Sequence, residues 1–203
     1  MKQTIPKKLA SGVVAAAMTL SLLPAAALAE DSEYSVSGAT GSAFTDSGIA
    51  AEDGSYTGYK ISGTDLTIQD SGTYIVSGNY SDGSITIKKG TTGVTLVLDG
   101  LTLTSEDTSP IACNKSSEVK IVAASGTGTL NISAGDDAIH CDYVMNVGAS
   151  GTTGPSITIK ACYEGLEAAT LNILSGNISI LSEDKCLNAA NSDLTGFSFS
   201  MTI

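Results

Sequence analysis

The sequence predicts an all-β fold, a parallel β-helix (solenoid) with three short strands per coil and about five to six coils. Three observations carry that prediction. The runs "VTLVL", "LTLT", "VKIVA", "TLNIS", "SITIK", "LNILS" and "NISIL" alternate aliphatic with polar residues at the strand period, and nothing after residue 29 has a helical period. The runs recur in order: first strands begin near Val94, Val119, Val144, Leu171 and Leu194, at spacings of 25, 25, 27 and 23 residues. The punctuation recurs as well, with a Gly-containing turn after a first strand and an acidic bend after a second. A sandwich would need hairpins, and its turns would not fall into three repeating classes.

Each element follows from this frame. Second strands are expected from Leu101, Thr129, Ser156 and Asn177. Third strands are the short runs "PIAC" from Pro110, "AIHC" from Ala138, "GLEA" from Gly165 and "CLNA" from Cys186. An earlier turn of the same kind comprises "LTIQ", "TYIVSG" and "SITIK", from Leu66 to Lys88. Coils stack about 4.8 Å apart, so equivalent residues form columns along the solenoid. Aligning the third strands puts Ile111, Ile139, Leu166 and Leu187 in one inward column. His140, the single histidine, then stands in an outward column with Ala112 on one side and Glu167 and Asn188 on the other. Two bend positions read Ser109, Asp137, Glu164, Lys185 and Thr108, Asp136, Tyr163, Asp184.

The ends carry a different signal. Lys2, Lys7 and Lys8, the apolar run Leu9 to Leu23 and the small-residue site Ala27-Leu28-Ala29 form the pattern of a cleaved secretory signal peptide over residues 1–29. The expected product is secreted or held at the cell surface. Residues 30–65 are rich in Ser, Gly, Ala and Thr and read as a spacer or N-terminal cap, and 66–203 as the solenoid. The last residues, Met201 to Ile203, look like another strand, so the solenoid is expected to be truncated there, with further domains as an option. Cleavage would leave 21 acids against 7 lysines, a formal charge of −14, and the chain has no arginine. That balance excludes nucleic acid and anionic membrane surfaces as partners and favours cations or ligands bridged by cations.

The chemistry concentrates in the bends, which carry Asp82, Glu106 and Asp107, Asp136 and Asp137, Glu164, then Glu183 and Asp184. Carboxylates stacked this closely repel unless something neutralises them. Oxygen-rich, sulfur-poor clusters suit Ca²⁺, and the expected ligands are Asp136, Asp137, Glu164 and Glu167, supplemented by Asp184 or Asn188. A solvated acidic edge of turn-forming Asp and Gly is the alternative. His140 has no nucleophile in its column and is expected to touch ligand, with Tyr163 and Asn188 beside it. A zinc centre from His140, Cys113 and Cys141 is disfavoured, because the two cysteines share the inward phase that His140 lacks. Those cysteines stack one coil apart, either as a disulfide or as a reduced ladder.

The segments "GVTLVLDGLTLTSEDTSPIACNKSSEVKIV", "DDAI", "YEGLEAATLNILSGNISI" and "DKCLNAANSDL" resemble a family of secreted bacterial carbohydrate-binding β-helix proteins, over roughly Leu66 to Leu194. The resemblance implies a right-handed parallel β-helix similar to calcium-dependent pectate and pectin lyases, binding cellulose and acidic pectic polysaccharide with Ca²⁺. It places the acidic steps on Asp136-Asp137, Glu164 and Asp184. The sequence departs from the family pattern at Ala138 and Cys186, where Gly is frequent, and at Lys185, where a second acid is usual. Three readings follow: calcium-dependent polysaccharide binding, a polysaccharide lyase using Lys185 as base, and a structural adhesin stalk. Binding is favoured, because such lyases use Arg or Lys as base and only Lys185 lies beside the acidic columns, with Lys160 further off.

Overall fold

A computed structural model describes residues 18–21, 39–42, 54–56, 58–124 and 128–203. The expected cleavage point after Ala29, with most of the leader and of the spacer, lies outside them. Among the described residues every regular element is a strand. They are β1 (Met18–Ser21), β2 (Ala39–Ser42), β3 (Gly54–Tyr56), β4 (Tyr59–Ser62), β5 (Asp65–Ile68), β6 (Gly72–Ser81), β7 (Ser84–Ile87), β8 (Val94–Ser105), β9 (Ile111–Cys113), β10 (Glu118–Ala123), β11 (Thr129–Ala134), β12 (Ile139–Val147), β13 (Ser156–Ile159), β14 (Leu166–Ile173), β15 (Asn177–Ile180), β16 (Leu187–Ala189) and β17 (Ser200–Thr202). Among the described residues no helix is long and apolar enough to cross a membrane.

From β5 onward the strands stack in parallel on three faces, giving a β-solenoid of about five turns. The first face stacks the leading half of β6 and of β8, then β10, the trailing halves of β12 and β14, and β17. The second runs through the trailing halves of β6 and β8, then β11, β13 and β15. The third runs β5, β7, β9, then the leading halves of β12 and β14, and β16. At the N-terminal end β3, β4 and β5 pair antiparallel. β1 lies antiparallel along the outer side of β15.

Side-chain alternation explains the stacking. Strands such as β7, β13 and β15 bury every second residue, and the columns so formed are aliphatic. On the third face Ile85, Ile111, Ile139 and Leu166 are fully buried and in register, with Leu187 packed against them, the column the sequence predicts. Each coil thus hides its inward residues only by lying on the next one. In the first coil aromatics do this work. The Tyr74 and Tyr80 rings are buried, and their hydroxyls donate to the carbonyls of Asp70 at 2.8 Å and Ser77 at 3.0 Å. Burial pushes the Tyr80 hydroxyl up to about 12.

The corners hold the differences from the sequence reading. β8 turns from the first to the second face without leaving the ladder, because Gly100 adopts φ +74°, a conformation costly for residues with a Cβ. The "LTIQ" run belongs to the third face of the preceding turn, while β6 alone supplies the first and second faces of its coil. Val119 pairs with Met145, one residue beyond the expected Val144. The shift arises at a bulge, where Asp142 and Tyr143 oppose the single residue Ala169. Leu194 starts no strand; Leu171 pairs instead with Met201. The residues between double back across a corner. Asn191 donates to the Asp142 carbonyl at 2.6 Å, Asp193 pairs with Lys115, and the Phe197 ring packs on Tyr143 at 5.6 Å.

Candidate functional site

Bends and third strands together build the candidate site. The bends of successive coils are hydrogen-bonded to one another: Ala138 N–H donates to Glu164 O at 2.8 Å and Gly165 N–H to Lys185 O at 2.8 Å. Such close stacking leaves no room for a side chain at Gly165, whose added Cβ would lie 2.3 Å from the Cys186 carbonyl oxygen. Beyond the bends, His140, Glu167 and Asn188 are in ladder register. Two outward columns therefore run side by side, Asp137–Glu164–Lys185 and His140–Glu167–Asn188. Each coil contributes one residue to both, three positions apart, so the outer wall carries a grid of six polar side chains.

Every member of the grid is held by another. His140 Nδ1 lies 2.9 Å from Asp137 Oδ2 and 3.5 Å from Glu167 Oε1. Asn188 Nδ2 donates to Glu164 Oε2 and Glu167 Oε2, both at 2.7 Å. Lys185 Nζ donates to Glu164 Oε1 at 2.8 Å and also reaches Asp184. Asp137 Oδ1 accepts the Glu164 backbone N–H at 3.2 Å. Asp137 and Glu164 are buried, at 9% and 6% exposure, while His140 keeps about a third of its side chain open.

The electrostatics follow from this packing. The hydrogen bond to Asp137 raises His140 to about 9, against burial and with help from the charges of Glu167, Asp137 and Asp142. Burial, and the hydrogen bond it gives Glu164, push Glu167 up to about 7. Burial would raise Glu164 as well, but hydrogen bonds from Glu167, Lys185 and Asn188 outweigh it and bring the carboxyl down to about 2. Contacts with Asp184 and Glu164 hold Lys185 protonated well beyond the usual lysine range. The neutralising partners that stacked carboxylates require are therefore His140, Lys185 and a proton on Glu167.

A pH dependence follows. His140 titrates at about 9 folded against 6.5 unfolded, so its stabilising contribution is complete below 6.5 and lost as pH rises through about 9. Glu167 acts in the same direction, its contribution present below 4.5 and lost as pH rises through about 7. After solvent screening at a site one-third open, His140 is expected to contribute about 1 kcal/mol. Urea unfolding at pH 6 and pH 9.5 measures it: stability should fall by at least that amount, Glu167 adding to the loss, and the fall should shrink in His140→Gln. A rise in stability over that interval would show the coupling to be wrong.

Of the residues expected to bind calcium, the structure brings Asp137, Glu164 and Glu167 together. Asp136 is exposed and offers its backbone carbonyl to Tyr163 N–H at 3.0 Å, and Asp184 is exposed beside Lys185. Calcium takes roughly six to eight oxygens. In the grid Glu164 is engaged by Lys185 and Asn188, and a histidine nitrogen stands against Asp137 and Glu167. Among the expected ligand contacts, His140 and Asn188 are in the grid, and the Tyr163 ring is 50% exposed on the adjoining bend. Sequence reasoning missed the role of Lys185, whose signal was its place in the column of Asp137 and Glu164. The four cysteines are buried and not joined in disulfides, and Cys113, hydrogen-bonded to Cys141 and desolvated, is raised and stays a thiol.

Comparison with known proteins adds one finding. Residues 62–129 match the model of a family described as "Carbohydrate-binding domain-containing protein", which supports a carbohydrate-binding role. The match spans about a third of the chain and ends at Thr129, ahead of the grid. No curated protein and no solved structure matches the chain.

Proposed function

We propose that the chain binds polysaccharide across the grid on its third face and does not cleave it. The observation that carries this reading is the set of six polar side chains that already hold one another in place, with the half-exposed Tyr163 on the adjoining bend. An exposed ring offers the apolar face of a sugar a contact, and prepositioned donors and acceptors give hydroxyls a fixed pattern. Held side chains also lose little entropy on binding.

The ligand chemistry that fits is a neutral, cellulosic type of glycan in preference to an acidic pectic one. The carboxylates of Asp136, Asp142 and Asp184 surround the grid, the chain as a whole has a formal charge of −11, and the two cations of the grid are engaged internally. A uronate polymer would meet repulsion that no free cationic side chain of the grid relieves. Cleavage by β-elimination needs an unprotonated base. Lys185, the sequence's candidate, is held protonated by Asp184 and Glu164.

Pull-down on an insoluble neutral glucan and on polygalacturonate gel, each with calcium and with chelator, tests the reading. Retention on the glucan, unchanged by chelator and weakened about tenfold by Tyr163→Ala, is expected, with no unsaturated ends released from either polymer. Retention only on polygalacturonate with calcium would overturn the choice of ligand. Unsaturated product that disappears with Lys185→Ala would overturn binding without cleavage.

A further inference from the structure

The grid contains a smaller constellation whose chemistry differs from that of an oxygen-only cage. Asp137, His140 and Glu167 each offer one ligand atom, and these atoms all lie within 4.8 Å of one another. The two distances about the nitrogen are 2.9 Å to Asp137 Oδ2 and 3.5 Å to Glu167 Oε1. Four-coordinate zinc, with bonds of about 2.05 Å, needs ligand atoms roughly 3.3 Å apart. The observed pair brackets that spacing.

A second observation concerns the other atom of each ligand, which is turned outward and fixed from outside the trio. Asp137 Oδ1 accepts the backbone N–H of Glu164 at 3.2 Å. Glu167 Oε2 accepts Asn188 Nδ2 at 2.7 Å. His140 Nε2 faces Asp142 Oδ1 at 3.5 Å, and that carboxylate is anchored by Asn191 Nδ2 at 3.0 Å. Metal-binding histidines and carboxylates are oriented by outer partners of this kind, and a metal bound here would displace the proton shared by His140 Nδ1 and Asp137 Oδ2. The trio sits on the ladder pair His140–Glu167 of two stacked coils, a rigid support, and the imidazole is a third open to solvent, which provides entry.

We propose that Asp137, His140 and Glu167 form a binding site for a divalent transition metal of the zinc type, with solvent completing its coordination. The nitrogen donor sets the class. Imidazole suits zinc, cobalt and nickel, whereas calcium and magnesium take oxygen. The site differs in residues and in chemistry from the carboxylate cage expected from the acidic bends, and it does not depend on which glycan the chain binds.

Titration of the metal-free chain with Co²⁺, followed by visible absorption and by Zn²⁺ competition, tests the assignment. One equivalent should bind, with d–d bands of nitrogen and oxygen ligation, and Zn²⁺ should displace it while millimolar Ca²⁺ should not. His140→Gln should weaken binding by at least about 100-fold, and Asp142→Asn by about 10- to 100-fold, the usual range for an outer partner. Both replaced residues point outward, and circular dichroism checks that the strand signal is retained. Should His140→Gln fail to fold, Glu167→Gln carries the same expectation. Absence of a stoichiometric site, affinity unchanged in a folded His140→Gln or Glu167→Gln variant, displacement by calcium, or a strong thiolate charge-transfer band from the cysteines would each overturn it.

Discussion

Replacing Ile139 with alanine is expected to destabilise the chain by about 2–5 kcal/mol, the range for truncating a large buried aliphatic side chain. Ile139 is fully buried and lies in register between Ile111 and Leu166, so the deletion removes contacts in two coils at once. The backbone there is bound on both sides through strand pairing and can collapse little into the gap, which favours the upper part of the range. Ile139→Val removes one methylene and should cost only about 0.5–1.5 kcal/mol. Urea titration of both variants at fixed pH separates them. Equal midpoints for the two would mean that the column is not close-packed, and the stacking described for the third face would be wrong.

Removing the Asp137 carboxylate should have the second-largest effect. Asp137→Ala is expected to cost about 2 kcal/mol, within the range for a buried donor left without its acceptor. The donor is the Glu164 backbone N–H, and His140 loses its 2.9 Å partner in the same step. Asp137→Asn keeps an acceptor for the N–H and removes only the charge, so it should cost about half as much. His140 supplies a second readout. It is the single histidine of the chain, so its imidazole resonance in an NMR titration needs no assignment. Its midpoint should drop from about 9 toward 6.5 in both variants. A midpoint that stays near 9 would show that Asp137 is not the group holding the proton.

The sequence made the third face legible because its strands are short, follow a marked acidic bend and alternate without error. Ile111, Ile139, Leu166 and Leu187, and with them the outward column of His140, Glu167 and Asn188, could be placed by phase alone. The first face was harder. The bulge at Asp142 and Tyr143 adds a residue that periodicity cannot see, which moved the expected pairing by one at Met145. Beyond Ala190 the register was lost, because Asn191 and Asp193 answer to Asp142 and Lys115, contacts that no local pattern announces. In the site, the acidic columns were visible but not which of two adjacent acids turns into the grid. Asp137 does and Asp136 does not, a distinction set by the backbone of the bend. Lys185 read as an interruption of the acidic pattern, yet it is the counterion of Glu164.

The buried thiols have a consequence for how the molecule comes apart. Cys113, Cys141, Cys162 and Cys186 fall in four successive coils, one in each, and all are shielded in the native state. A solenoid whose coils contact only their neighbours loses them from the ends, so openings are local and ordered. Each sulfur becomes reachable to an alkylating reagent only when its own layer opens. The chain therefore carries an internal clock of four marks, and the order in which they react would report from which end the stack unravels.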